Sequence, residues 1–262
     1  MVLERLEAPP IEEVVCGIRF EPIPAFDPIL VGTYWAQKKG EFPGRALQPA
    51  IQDSASFVFG VGPLRSWLLS ADESLILQLQ FDRFYMNWRA RGNKYPRFGD
   101  HGGEVGLLSR FLSEYESFSQ FCETSLSVVP RALSIQVSKI DHLVRGNHWS
   151  SFSDIAVCVP WLAVFGELAN TDGPALNLRF QEQRADVNIA VAVDTAVAVK
   201  EGEEQTVLKL EMTATKSVGS YPNELPKLRQ EFEAANTIVN SVFEKMIPME
   251  QRKLRFGRKD SK

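Results

Sequence analysis

The sequence predicts an α+β protein: two α/β sandwich-like halves of mostly antiparallel sheet, with helices packed on one face. Three observations carry this. The stretch LILQLQFDRFYMNWRA, beginning at Leu75, alternates apolar and polar residues with the period of a half-buried strand. Two segments, 104–123 and 220–248, carry apolar residues at helical spacing instead. The element order strand–helix–strands–helix–strand is then followed by a second run of strands closed by a helix. This predicts an N-terminal α+β half over 1–146. The second half, 147–262, is an antiparallel sheet plus a long C-terminal helix.

The first strand is predicted in APPIEEVVCGIRFEP, where Val14, Cys16, Ile18 and Phe20 share one parity, with Glu13, Gly17 and Arg19 on the other. A helix follows from Asp27-Pro28, an N-cap residue and a first-turn proline, with Ile29, Leu30, Tyr34 and Trp35 as its apolar face and Gly40 as its stop. SASFVFGVG and PLRSWLLSADES read as two further strands.

In the long alternating stretch, Leu75, Leu77, Leu79 and Phe81 occupy odd positions, whereas Phe84, Met86 and Trp88 occupy even ones. One continuous strand cannot point both sets inward. A tight turn or bulge at Asp82-Arg83 resolves the conflict, and a hairpin of strands 74–81 and 84–90 is the favoured form. The loop RARGNKYPRF (89–98) comes next, marked as irregular by Gly92-Asn93 and Pro96. In the following helix Leu107, Leu108, Phe111, Leu112, Tyr115, Phe118 and Phe121 or Cys122 form the buried stripe. RALSIQVSKIDHL alternates again. ADVNIAVAVDTAVAV and EQTVLKLEMTATKSV read as antiparallel strands joined by a charged turn. The last helix is capped by Asn223, has Pro226 in its first turn, and buries Leu225, Leu228, Phe232, Ala235, Val239, Val242, Phe243 and Met246. KLRFGRKDSK then reads as a frayed, solvated basic tail.

Composition narrows the function. A chain of 262 residues, 44% hydrophobic and 24% charged, can bury a substantial core. Its formal net charge of -4 provides no overall field for a polyanion, so nucleic-acid binding would need a local basic patch. The longest apolar run, IAVCVPWLAVF at 155–165, falls well short of the roughly 20 residues of a membrane span. MVLERLEAPP lacks the apolar core of a signal peptide. Cys16, Cys122 and Cys158 are odd in number and widely spaced, which fits core thiols in a reducing cytoplasm.

No sequence motif for catalysis stands out. There is no GxSxG elbow, no GxxxxGK[ST] loop and no GxGxxG after a strand. His101, His142 and His148 match no zinc-ligand spacing, so no metal and no cofactor is assigned. The acidic pairs Glu12 and Glu13, Asp72 and Glu73, Glu182 and Asp186, and Glu114 and Glu116 have no spacing that acid–base chemistry requires; they read as solvated. Attention falls on the basic aromatic loop. Arg89, Arg91, Lys94 and Arg97 form a cationic rim there, with Tyr95 and Phe98 as binding aromatics and Asn87 and Trp88 supporting them.

The opening PPIEEVVCGIRF, the block LQLQFDRFYMNWRARGNKYPRF, the Phe-rich helix after it and the late EFEAANTIVNSVFEKMI resemble a bacterial family of this length. It is the sporadically distributed, TIGR-type conserved hypothetical family numbered 04255. The most specific piece is the aromatic-Asn-Trp run followed by Arg and then Tyr95-Pro96. The chain departs from the family pattern at Gly17, where an acidic residue is common, and near Phe232, where a histidine is. The resemblance implies no established activity, and a distribution like that of mobile accessory systems, including defence and toxin–antitoxin modules.

The expectation is therefore a non-enzymatic, cytoplasmic binding or regulatory protein. It would act on a protein partner or as a homo-oligomer through the 89–98 loop and exposed sheet edges. The alternatives are a nucleic-acid-binding component, and an enzyme whose site assembles only in three dimensions, for example Asp141, His142 and His148 with Arg83.

Overall fold

The computed structural model describes residues 6, 8–51, 64–92, 95–168, 175–200, 202–221 and 224–257. The expected strand at 54–62, along with Asn93, Lys94 and the cap Asn223, lies outside them. The elements run β1 (Ile11–Phe20), α1 (Pro28–Lys38), β2 (Gly44–Pro49), β3 (Leu64–Leu69), β4 (Leu75–Gln80), β5 (Arg83–Arg89), α2 (Leu107–Leu126) and β6 (Ala132–Val144). They continue with α3 (Phe152–Cys158), a 3-10 helix (Pro160–Leu168), β7 (Asn177–Arg184), β8 (Val187–Lys200), β9 (Glu203–Tyr221), α4 (Leu225–Met246) and α5 (Met249–Phe256). The class is α+β, as expected. The strands form one antiparallel nine-stranded sheet, in the order β2-β3-β4-β5-β1-β6-β9-β8-β7.

Two compact units are present, and each is assembled from separated segments rather than from 1–146 and 147–262. One contains Met1–Glu12, Ser138–Ala214 and Thr237–Lys262; the other contains Glu13–Val137 and Thr215–Asn236. No described helix is long and apolar enough to cross a membrane.

The core of the Glu13–Val137 unit follows from strand parity. Val14 pairs Trp88, Cys16 pairs Met86, and Ile18 pairs Phe84; Leu75, Leu77 and Leu79 meet the same three residues from the other side. All except Leu79, Trp88 and Leu75 are fully excluded from solvent, and those three nearly so. The α2 stripe packs against this face. Phe84 stacks on Phe118 with ring centres 5.0 Å apart, and Phe118 also meets Phe20 and Tyr34. At the α2 C-terminus Ser127 takes the left-handed conformation, and its N–H closes on the carbonyls of Cys122 and Glu123.

Helix α1 starts as expected, with the Asp27 carboxylate accepting from the N–H groups of Ile29 and Leu30. Its buried face is different. Val31 and Tyr34 point inward while Ile29 is 82% exposed. Trp35 lies at the margin, donating its indole N–H to the Phe42 carbonyl with the Arg45 guanidinium 4.3 Å from its ring.

The predicted hairpin is β4–β5, with one correction. Gln80 pairs Arg83, so the two-residue turn is Phe81-Asp82 and Arg83 already belongs to the strand. Buried Asp82 accepts from Arg83 through both its oxygens, at 3.0 and 2.7 Å, and from the Gln80 amide at 2.8 Å. A turn without glycine is thus held by its own side chains.

In the other unit, β7 and β8 form a hairpin whose register runs from Asn177 opposite Asp194 to Arg184 opposite Val187. Helix α4 is shared, its residues to Asn236 belonging to the Glu13–Val137 unit; it buries Leu228, Phe232, Ala235, Val239 and Met246 of the predicted stripe, while Leu225, Val242 and Phe243 are half-buried. The basic tail needs correction. Residues 249–256 form α5, in which Phe256 is buried against Phe243 and His148, and Arg252 donates to the Ile247 carbonyl. Only 258–262 lie outside the described residues.

Candidate functional site

Successive strand residues point to opposite faces. If Phe84, Met86 and Trp88 meet α2, then Arg83, Tyr85, Asn87 and Arg89 must face the other way. There they join Arg65 and Trp67 from β3, Gln78 and Gln80 from β4, and Glu13 and Gly17 from β1.

These side chains form a continuous polar chain. The Gln78 carbonyl oxygen accepts from Arg65 at 2.7 Å and from the Trp67 indole N–H at 3.1 Å. The Gln78 amide donates to Asn87 at 2.5 Å, and the Asn87 amide donates onward to Glu13. The second Glu13 oxygen lies 3.4 Å from Nε of Arg89. The Arg89 and Arg65 guanidinium groups lie 5.1 and 5.5 Å from the Trp67 ring centre. Gln78 and Asn87 are buried at the centre; Arg65, Trp67, Arg89 and Glu13 are only partly covered. Burial holds the Arg65 guanidinium below its ordinary pKa, with a further lowering by the nearby Arg83 charge that Tyr85 opposes. Nε of Arg65 and Nε of Arg89 are buried without a hydrogen-bond partner among the described residues.

Gly17 is part of this surface. A Cβ at that position would lie 1.8 Å from two ring carbons of Tyr85, so the tyrosine occupies the space that a side chain would take. Tyr85 then reaches Gln136 of β6, donating from its hydroxyl at 3.3 Å.

The structure divides the residues proposed from sequence. Asn87 and Arg89 belong to this polar face. Trp88 is 3% exposed on the opposite, helix-packed face, where Tyr95 covers it with ring centres 5.1 Å apart. Phe98 is buried, and the carbonyls of Arg97 and Phe98 accept from Leu107 and Leu108, tying the loop to the start of α2. Tyr95 and Arg97 are half-buried, Arg91 is exposed, and Lys94 lies outside the described residues. No protein-family model matches the chain, and no curated protein matches it.

Arg65, Trp67, Gln78 and Glu13 were missed by the sequence reading. Glu13 carried the clearest signal, because it shares the off-core parity of Gly17 and Arg19. It is a partner of Asn87 and Arg89 rather than a solvated carboxylate. Glu114 needs the same correction: it is buried in α2 and pairs Lys38 at 2.8 Å.

Asp141 and His142 are adjacent on β6 and face opposite sides. Asp141 is buried, which pushes its carboxyl up to about 7 against the opposing pull of Lys139. Lys139 in turn donates to Asn240 of α4 at 2.6 Å. His148 accepts the Val144 N–H through Nδ1, and its pKa is lowered by burial and the Arg255 charge. Arg83 is bound to Asp82. Among the described residues no group of three or more His, Cys, Asp or Glu side chains could hold a metal. All three cysteines are buried and none is in a disulfide; burial pushes Cys122 up to about 12 and Cys158 up to about 11, far from the thiolate a nucleophile needs.

Proposed function

We propose that this is a non-enzymatic, cytoplasmic binding protein that recognises an acidic segment of a protein partner on the polar face of β3, β4, β5 and β1. The reading includes kinship with the sporadically distributed bacterial family named above, and a role in an accessory or defence module. One observation carries it: two partly exposed guanidinium groups, Arg65 and Arg89, share the Trp67 ring. Arginine combines stacking on an aromatic face with bidentate contact to carboxylates. Gln78, Asn87 and Glu13 behind them fix the geometry, so little side-chain freedom is lost on binding.

The test is fluorescence anisotropy with a labelled Glu-rich peptide and, in parallel, a labelled single-stranded DNA oligonucleotide. The peptide is expected to bind. The double variant Arg65→Ala with Arg89→Ala should weaken that binding about tenfold or more, a loss of about 1.4 kcal/mol, with little change in Tm. Peptide binding that ignores the double variant would overturn the proposal. Preferential DNA binding that falls steeply with salt would favour the nucleic-acid alternative instead.

A further inference from the structure

A different surface, independent of the arginine face, points to self-association. Among the described residues, strand β7 is an edge of the sheet and pairs only with β8. Seven of its eight residues are exposed, and the sequence NLRFQEQR has no proline to block pairing. The other edge, β2, is shorter, alternately covered, and ends in Pro49.

The outward backbone groups of β7 can be assigned. Every β7–β8 pair is offset by the same register, and the Thr195 N–H donates to the Leu176 carbonyl within it. Hydrogen-bonded pairs alternate with non-bonded ones in an antiparallel ladder. Even-numbered residues therefore bond to β8, while Asn177, Arg179, Gln181 and Gln183 direct their N–H and C=O groups away from the sheet.

We propose that a second copy of the chain pairs antiparallel with this edge, with Phe180 at the two-fold axis. Odd residues must face odd residues, and the two registers that pair the most of β7 are centred on Phe180 and on Gln181. The first sets Phe180 against Phe180 in a non-hydrogen-bonded pair, where side chains approach most closely. It also sets Arg179 opposite Gln181, Asn177 opposite Gln183, and Leu178 opposite Glu182. No like charges stand directly opposite. The two Arg179 side chains are diagonal neighbours, and each is already neutralised by its own Asp194 at 2.7 Å. Glu182 is likewise neutralised by Arg184 at 2.5 Å. The shifted register places Phe180 opposite Glu182 instead of against a second ring.

A groove supports the Phe180-centred register. A cavity of about 280 Å³ beside β7 is lined by six apolar residues, Trp161 and Phe180 among them, and by Gln181, Glu182, Arg184 and Lys245. Phe180 forms its outer wall, 45% exposed and edge-on to Trp161 at 5.2 Å. A second Phe180 across the axis would cover that wall.

Cysteine cross-linking reads the register directly, because the three native cysteines are buried. Opposed residues of a non-hydrogen-bonded pair have Cα atoms about 4.5 Å apart, within disulfide reach. Phe180→Cys should give a covalent dimer under mild oxidation. Leu178→Cys and Glu182→Cys should cross-link when mixed but not alone. Gln181→Pro removes an outward N–H without touching the β8 ladder, and should convert a dimer seen by sedimentation into a monomer with unchanged circular dichroism. A wild-type chain that is monomeric at about 100 µM would overturn the proposal. So would a dimer that Phe180→Cys fails to trap. Because none of these variants touches Arg65 or Arg89, failure here leaves the acidic-peptide result to stand or fall separately.

Discussion

The two faces of the β4–β5 hairpin are built from the same few residues and behave differently. On one face, Leu75, Leu77, Leu79, Phe84, Met86 and Trp88 meet the helices, and non-directional burial holds them. On the other, Gln78, Asn87, Tyr85 and Arg83 are nearly as inaccessible, 3–6% exposed, yet each has polar atoms that need partners. The first face tolerates any well-packed apolar set. The second depends on a particular order of donors and acceptors, running from Arg65 through Gln78 and Asn87 to Glu13. The difference separates what stabilises the sheet from what it can present to a partner.

The largest contrast comes from removing a core ring. Phe84 packs against Phe111, Tyr115 and Phe118 at 6.0, 5.9 and 5.0 Å and is fully buried. Phe84→Ala should cost about 3–5 kcal/mol, from lost transfer energy plus the cavity left behind. Chemical denaturation measures this; a loss below 1 kcal/mol would mean that α2 does not close on the sheet as described. The polar face should respond less. Gly17→Ala drives a methyl group into the Tyr85 ring and should cost about 1–3 kcal/mol by overpacking. Adding Tyr85→Ala should recover part of that loss, because the obstruction is the ring itself. Two substitutions with simply additive costs would show that Gly17 is not held open for the tyrosine.

The parity of the apolar residues was legible from the sequence because burial against helices follows a period of two. The switch from odd to even positions after Leu79 therefore located a hairpin to within one residue. The turn was misplaced because Phe81-Asp82 lacks the glycine or asparagine that marks a tight turn; Gln80 and Arg83 hold it through Asp82 instead. The polar face was not legible. Glu13 and Gln78 are separated by most of β1, α1, β2 and β3, and only the strand order β3-β4-β5-β1 brings them onto one surface with Asn87 between them. Arg65 and Trp67 were invisible for the same reason. The 89–98 loop drew attention through its composition, but Tyr95 covers Trp88 and the carbonyls of Arg97 and Phe98 accept from the start of α2. The α5 helix was missed because its buried Arg252 and Phe256 sit in a run otherwise rich in charge.

The smallest effect is the most discriminating. Arg89 and Glu13 have side chains 26% and 19% exposed, so their mutual attraction is screened by water and worth no more than about 1 kcal/mol. Its contact with Trp67 adds an amount of similar size. Arg89→Ala should therefore lower stability only modestly, by no more than about 2 kcal/mol, even though it removes one of the two cations facing the proposed ligand. Differential scanning calorimetry against wild type checks this. A stability loss approaching that of Phe84→Ala would make Arg89 a structural residue and the polar face a second core. A small loss, combined with a tenfold drop in peptide affinity, separates the two faces: one carries the fold, and the other can be changed without unfolding it.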